Sequence, residues 1–238
     1  ITLVAGSTMV TDGTNTTGGN IRLKSGASMS ITGINAGSAD VSLISGASIL
    51  DIGETNTDAI ANQLRIIATT GVSEASGTGN GLLDINATKF SAIATGSGGL
   101  FVSEANGLTI TNLTAMSVNR VGTDAATATT DTSDAAQEDI TSGGVVVLTV
   151  TSGALMIDAG TSATSGLSAS GDVLLKTSEA TEGTSTDSDI TLNGALSIGG
   201  NLSINSSDNI NQNANISLTT SAKTVDLLAA DSVMMHTA

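Results

Sequence analysis

The sequence contains no proline and no cysteine. Average usage of about 5% would place about 12 prolines in a chain of this size. Proline lacks a backbone donor and is confined to the edges and bulges of sheets, so its absence indicates a chain whose N–H groups nearly all join hydrogen-bonded ladders. Without cysteine there are no disulfides and no thiolate metal ligands, which fits a surface protein that is held together by repetition.

Aromatic side chains are almost absent, because Phe90 and Phe101 are the only two. The core must therefore consist of Ile, Leu, Val, Ala and Met. Small and branched aliphatic side chains suit a narrow coil better than a broad globule, whose centre is usually filled by large side chains.

Basic residues are scarce: seven Lys and Arg face 22 Asp and Glu, for a formal charge of −15. Nucleic acids and anionic membrane surfaces would be repelled. The longest apolar runs, such as Val145–Val150, are far shorter than the roughly 20 residues of a membrane span. We therefore expect neither nucleic-acid binding nor membrane insertion.

Glycine, with 28 residues, is abundant, and the chain nearly repeats itself at its start. The stretch KSGASMSITG (Lys24–Gly33) returns twenty residues later as ISGASILDIG (Ile44–Gly53). The columns that match at this step are Ile1/Ile21/Val41, Leu3/Leu23/Leu43, Gly6/Gly26/Gly46, Met9/Met29/Ile49 and Gly13/Gly33/Gly53. Apolar side chains alternate with polar ones, which predicts short strands with the odd-numbered residues pointing inward.

Small residues separate the two strands of each repeat, and we expect Gly6, Gly26 and Gly46 to form corners there. LTVTSGALMIDAG (Leu148–Gly160) restores the motif and predicts a further corner at Gly153. The sequence thus predicts an all-β fold, a parallel β-helix or β-solenoid with coils of about 20 residues over residues 1–238. The predicted structural core comprises Ile1, Leu3, Ile21, Leu23, Met29, Val41, Leu43 and Ile49.

Two acidic stretches interrupt the pattern, at residues 121–144 and, shorter, at 178–189. They contain few large apolar residues, so we interpret both as loops that project from the stack. Helical spacing is weak throughout the chain, and a capping helix, if one forms, is expected at Thr57–Ile67.

A further pattern has a family resemblance. It has Asp or Asn in the first position, Ile or Val in the second, any residue in the third and Leu in the fourth, followed by a Gly/Ala/Ser corner. It occurs in NIRLKSGAS (Asn20–Ser28), DVSLISGAS (Asp40–Ser48), DITLNGA (Asp189–Ala195) and NISLTTSA (Asn215–Ala222). This pattern resembles the haemagglutinin-repeat β-helices of large bacterial surface and secreted proteins, such as filamentous haemagglutinin-like adhesins. The resemblance implies a right-handed parallel β-helix outside the cell that serves as the shaft of an adhesin or fibre.

Residues for catalysis are few, since His236 near the end of the chain is the only histidine. Parallel β-helices also carry enzymes that cleave acidic polysaccharides with paired carboxylates. The pairs available are Asp187 with Asp189, Asp51 with Glu54, and Glu138 with Asp139. All lie at predicted corners or in acidic loops, and aromatic platforms for sugars are lacking, so we expect no enzyme.

Calcium is the one cofactor that the residues suggest, because it prefers the oxygen ligands that this chain offers at its turns. The known calcium-binding solenoid repeat fails here, since its closest approach, Gly77–Ile85, has leucine where the aspartate should fall. The remaining candidate ligands are Asp124, Asp131, Asp134, Glu138 and Asp139.

These observations favour an extracellular structural β-solenoid at the cell surface, a shaft or building block of a bacterial fibre, surface layer or adhesin. Its expected partners are copies of itself, neighbouring segments of a longer chain, and cell-surface glycans. Because the chain begins at Ile1 within the pattern, we expect a processed product or a window on a longer polypeptide. The alternatives are a polysaccharide lyase or glycosidase on the same scaffold, and a host-surface binding module that uses residues 121–144.

Overall fold

The computed structural model describes residues 1–3, 8–11, 18–51, 56–73, 81–126, 128–161, 165–179 and 188–236, and leaves aside the side chains of 128–132. These residues form strands and no helix, and hence no helix that is long and apolar enough to span a membrane. The strands are β1 (Met9–Val10), β2 (Ile21–Ser25), β3 (Met29–Ile31), β4 (Ile34–Asn35), β5 (Val41–Ser45), β6 (Ser48–Asp51), β7 (Ala59–Ala68), β8 (Gly71–Val72), β9 (Leu83–Ala94), β10 (Gly99–Glu104), β11 (Leu108–Ile110), β12 (Met116–Val121), β13 (Ala128–Asp134), β14 (Ile140–Ser142), β15 (Val146–Val150), β16 (Leu155–Ile157), β17 (Ser165–Ala169), β18 (Val173–Thr177), β19 (Ile190–Leu192), β20 (Ala195–Ile198), β21 (Leu202–Ser206), β22 (Ile210–Gln212), β23 (Ile216–Leu218), β24 (Val225–Ala229) and β25 (Val233–Met235).

The strands stack in three parallel ladders that wrap around a common axis. Ladder A comprises β2, β5, β7, β9, β14, β17, β20 and β23. Ladder B comprises β3, β6, β8, β10, β15, β18, β21 and β24. Ladder C comprises β1, β4, β7, β9, β11, β16, β19, β22 and β25, where β7 and β9 turn the corner from C into A without a break. The predicted parallel β-solenoid is confirmed.

Coil length varies along the stack. Ile21 pairs with Val41 and Leu196 with Ile216, so the first and last steps in ladder A are the expected twenty residues. The steps between them are longer, as in the pairing of Val41 with Leu64. Parallel pairing continues across these longer steps, with a register shift between Ser165 and Leu167 where β17 pairs with β20.

The core is a column of aliphatic side chains that point inward from all three ladders. Of the residues expected in the core, Ile21, Met29, Val41, Leu43 and Ile49 are at most 4% exposed. The others lie in the first two coils. Leu3 and Leu23 are half-buried against the core, and Ile1, contrary to expectation, is 44% exposed. In the described residues no coil lies below these three, so one side of each faces solvent.

The glycines at the corner between β2 and β3 differ in what they require. Gly46 stacks on Gly26 so closely that a Cβ on Gly46 would collide with the Gly26 carbonyl, whereas a Cβ on Gly26 would meet nothing within 4 Å. Gly26 lies in a bend, as expected, but its φ is not positive. Close stacking of coils, and not a special backbone angle, therefore explains Gly46. The third glycine of this column, Gly6, is outside the described residues.

We expect Gly46→Ala to lower the free energy of unfolding by about 1–3 kcal/mol, because backbone must shift to admit the methyl group. Gly26→Ala should be neutral or stabilise by up to about 1 kcal/mol, because alanine restricts the unfolded chain and fits the folded one. Urea unfolding followed by circular dichroism compares the two. Equal losses would contradict the close stacking of Gly46 on Gly26.

The predicted corner at Gly153 exists, but it is a different corner from that of Gly26. Gly26 separates ladder A from ladder B, while Gly153 separates β15 from β16, that is, ladder B from ladder C. Strand register makes Gly143 the counterpart of Gly26, since Ser142 stacks above Ala94 in the ladder that begins with Ser25. Gly153 is required locally, because its φ is +94° and a Cβ would lie 2.9 Å from the Gly107 nitrogen.

The stretch 121–144, expected to project as a loop, contains strands, and its contact with the stack is at the base of a hairpin whose residues 119–126 are exposed. β12 and β13 form an antiparallel hairpin, and β14 belongs to ladder A with Ile140 fully buried. The hairpin lies against the outward side of ladder A, where it covers Ser42. Of the second expected loop, residues 180–187 lie outside the described residues.

The capping helix considered for Thr57–Ile67 does not form, because these residues enter β7. The spacing of their apolar residues is compatible with both structures. Paired on both sides, β7 contributes backbone hydrogen bonds to β5 and β9, which a helix at this place would forgo.

Candidate functional site

Asp and Asn residues at the corners hydrogen-bond to one another along the stack. Asp172 Oδ1 accepts hydrogen bonds from the backbone and side-chain nitrogens of Asn201, at 2.6 and 3.1 Å. Asp158 accepts one from Asn193, which accepts one from Asn213. These side chains satisfy corner groups between coils, so their role in this arrangement is structural.

The structure describes both members of one of the three carboxylate pairs that would serve a polysaccharide-acting enzyme, Glu138 and Asp139. Glu54 and Asp187 lie outside the described residues. Asp189 accepts hydrogen bonds from Asn209 at 2.9 Å and from Asn211 at 3.0 Å, as part of a corner network. His236 follows β25, and its backbone nitrogen donates to the Gln212 carbonyl. Glu138 lines a cleft, and Asp139 follows it in the chain.

The five calcium candidates do not converge in the described part of the chain. Asp124 lies exposed in the turn of the hairpin, where it accepts a hydrogen bond from Ala126. The side chain of Asp131 is outside the described residues, and Asp134 is engaged in an ion pair. Among the described residues there is no group of three or more His, Cys, Asp or Glu that could hold a metal ion. Glu138 and Asp139 are the two candidates that remain together.

Asp134 fastens the hairpin to the stack. Both of its carboxylate oxygens accept hydrogen bonds from Arg22, at 2.9 to 3.1 Å. Burial alone would raise the pKa of Asp134, but hydrogen bonds from Arg22 and Ser42 and the charges of Arg22 and Arg65 outweigh burial and lower it. The carboxylate of Asp134, at the end of β13, thus lies near two arginines on the outer side of ladder A, Arg22 and Arg65.

Glu138 and Asp139 lie where the chain returns from the hairpin to the stack. Asp139 is 8% exposed, with φ at +63°. Its Oδ2 accepts a hydrogen bond from Ser165 Oγ at 2.8 Å. Burial raises the pKa of Asp139, the bond from Ser165 counters this, and the adjacent charge of Glu138 adds to the rise. A cleft lined in part by Glu138, Gln137 and Thr161 opens beside them.

Glu104 is a buried carboxyl that the sequence analysis missed. It is fully buried in β10, and Ile85 and Val150 are its register neighbours below and above. Burial raises the pKa of Glu104 to about 8, although hydrogen bonds from backbone N–H groups, including those of Ala87 and Asn106, oppose the rise. Its alternation with Leu100 and Val102, two buried residues, is the signal that could have revealed it.

A strip of outward-facing apolar side chains lies on ladder B. Phe101, Val147 and Leu174 occupy one register column. Together with Val145 they line a shallow groove that ends at Asp172 and Asn201. Phe101 is only 6% exposed, so these neighbours cover most of the one aromatic ring on the outside of the stack.

The last coil leaves inward-facing positions uncovered. β23, β24 and β25 each pair on one side only within the described residues. Val225 is 45% exposed, Val233 41% and Met235 67%, although their register partners Leu202, Ile210 and Gln212 point into the core or its rim. The last described coil thus presents an apolar surface, and each of its three strands has one edge without a strand partner among the described residues.

Comparison of the chain with protein-family models, with curated proteins and with solved structures finds no match. Inference about function therefore rests on the features described above. In the part of the chain that the structure describes, these are a regular stack, polar corner networks, a hairpin joined to the stack by an ion pair, a cleft beside Glu138 and an exposed apolar last coil.

Proposed function

We propose that this protein is a structural β-solenoid of the bacterial cell surface, a shaft or building block of an extracellular fibre, surface layer or adhesin. Its resemblance to haemagglutinin-repeat β-helices supports the family and the location. Its mechanism is association by stacking, in which the strands of one segment continue into the next. The uncovered terminal coil is the observation that carries the proposal.

That coil has what continued stacking requires. Parallel ladders add strands without changing direction, so the free edges of β23, β24 and β25 in ladders A, B and C can accept three more strands in register. Inward positions such as Val225 and Met235 would then be buried like the equivalent residues in the coils before them. Burial of apolar surface returns about 25 cal/mol per Å², and each added strand also satisfies exposed backbone groups.

A second copy of the chain is the occupant that we assign to this surface. The first coils contain strands of the same three ladders: within the part of the chain that the structure describes, β2 pairs only with β5 and β1 only with β4, while Thr2 bridges to Ser30 in β3. Head-to-tail contact between two such ends builds filaments when it does not close into a ring. The charge of −15 limits lateral clumping of copies.

We expect the protein to form elongated assemblies whose length increases with concentration, and Met235→Lys to prevent them. Lysine at this exposed position is tolerated by the isolated fold, but it would bury an unpaired ammonium group beneath a second copy. Sedimentation velocity measures the size distribution, and negative-stain electron microscopy shows the shape.

Val121→Lys is the matched control, because Val121 is equally exposed, at 64%, but lies in the hairpin on the side of the stack. It should assemble like the wild-type protein. A wild-type protein that stays monomeric at every concentration would contradict self-stacking, and equal inhibition by both lysines would indicate that the assembly does not use the terminal coil.

A further inference from the structure

Two carboxylates converge on one corner of the stack. Glu138 and Asp139 precede β14, and Gly160 lies across from them after β16. A Cβ built on Gly160 would lie 2.8 Å from Glu138 Oε2 and 2.8 Å from Asp139 Oδ1, so the two oxygens are at most 5.6 Å apart, twice that distance. The absence of a side chain at Gly160 leaves room for both.

Buried oxygens at this corner have no hydrogen-bond partner. Asp139 is more than nine-tenths buried, and while its Oδ2 accepts a bond from Ser165, its Oδ1 accepts none. Gln137, which lines the same cleft and is 7% exposed, has an Oε1 without a partner. Buried polar atoms nearly always have a hydrogen-bond partner. Two buried oxygens without one, on the residues before and after Glu138 in sequence, therefore indicate that something else binds here.

Further oxygens border the same cleft, whose volume is about 190 Å³. Glu138 Oε2 accepts a hydrogen bond from the Thr161 nitrogen at 2.7 Å. Asn112 Oδ1 accepts one from the same nitrogen at 3.2 Å, and the Asn112 amide nitrogen donates to Thr161 Oγ1. The corner at Gly160 and the adjoining cleft thus combine the carboxylates of Glu138 and Asp139 with amide and hydroxyl oxygens, which are the ligands that hard cations prefer.

We propose that Glu138 and Asp139 bind one divalent cation at this corner, with Gln137, Asn112 and Thr161 as neighbouring oxygen ligands. Calcium fits better than magnesium, because calcium accepts six to eight oxygens in irregular geometry, whereas magnesium requires a near-ideal octahedron. The cation would link the base of the hairpin to the corner after β16, and so would join the hairpin to the coil above it.

Isothermal titration with calcium alone, together with thermal unfolding by circular dichroism, tests the site. We expect one ion per chain, a dissociation constant of about 0.1–1 mM as in extracellular modules, and a calcium-dependent rise in melting temperature. Magnesium at the same ionic strength should give a smaller rise. Sodium chloride at matched ionic strength corrects for screening of the net charge.

Three variants localise the effect. Asp139→Asn retains a residue that tolerates positive φ, Glu138→Gln retains the acceptor for Thr161, and Gly160→Ala removes no charge but places a methyl group between the two oxygens. Each should weaken calcium binding about tenfold or more, because affinity depends on ligand charge and on the space at the site. Asp124→Asn, which removes one charge in the exposed hairpin turn, should bind calcium like the wild-type protein.

Two outcomes would overturn the proposal. The first is a wild-type protein that gives neither heat nor a melting shift with calcium beyond that of sodium chloride. The second is calcium binding that persists in both Asp139→Asn and Gly160→Ala, or that Asp124→Asn weakens as much as they do. Neither outcome bears on end-to-end stacking, which is measured without added calcium.

Discussion

Leu43→Asp is expected to lower the free energy of unfolding by more than about 4 kcal/mol. Leu43 is fully buried in ladder A between Leu23 and Ile66. The substitution removes aliphatic contacts with the coils below and above and places a carboxylate among side chains that offer it no partner. Urea unfolding followed by circular dichroism gives the free energy, since the chain has no Trp or Tyr to report by fluorescence.

The matched control is Ile44→Asp, which introduces the same residue one position along. Ile44 is half-buried on the outward side of β5 and is the register neighbour of Lys24. A carboxylate there faces solvent and an opposite charge, so the loss should be below about 1 kcal/mol. Comparable losses from the two substitutions would contradict the inward and outward assignment of β5.

The damage from Leu43→Asp should also be local. In a stack, each coil contacts only its neighbours, so stability is approximately a sum of coil and interface contributions. Hydrogen exchange should therefore show lost protection in β2, β5 and β7, with β21 and β22 retaining theirs. Uniform loss along all strands would indicate that the chain unfolds as one cooperative unit.

Glu104 is expected to make the protein less stable as pH rises. Its pKa is about 8 in the folded protein against 4.5 for the free group, because burial disfavours the carboxylate. A group whose pKa is raised by folding contributes stability that is complete below its unfolded pKa and is lost as pH rises through its folded pKa. The shift corresponds to a loss of about 3–5 kcal/mol between about pH 4.5 and about pH 9.

Glu104→Gln isolates this effect from the other acids, because glutamine has nearly the same shape and does not titrate. Below about pH 5 the variant should be the less stable protein, since its amide N–H group faces a backbone donor. Above about pH 8 it should be the more stable one. The unfolding free energies of the two proteins, plotted against pH, should therefore cross within this range. Parallel pH profiles would show that folding does not raise the pKa of Glu104.

Short-range repetition predicted the fold well and the corners less well. Alternation in Ile21–Ile31 and its return twenty residues later define strands, their inward sides and their parallel stacking. At Gly153 the similar motif predicted the wrong corner. A small-residue bend between two short strands forms the corner from ladder A to ladder B in one coil and the corner from ladder B to ladder C in another. A local pattern specifies a bend but not its place around the axis.

The acidic stretch 121–144 illustrates a second limit of the sequence. It has few large apolar side chains, which predicts a projecting loop. One contact between its base and the stack joins Asp134 to Arg22, residues 112 positions apart, and no local pattern encodes that distance. Likewise, Glu138 and Asp139 were candidates by residue type, but only folding brought them to Gly160.

By itself the sequence determined the architecture of this protein. An alternation of period two, a repeat of about twenty residues and the lack of proline are local properties, and they suffice because each coil packs on its immediate neighbours. Tertiary structure alone decided which glycine must be a glycine, where the base of the hairpin lies, why the pKa of Glu104 is raised, and which acids meet at the Gly160 corner. Each of these depends on residues that are one coil or more apart in sequence and that become neighbours only when the coils stack.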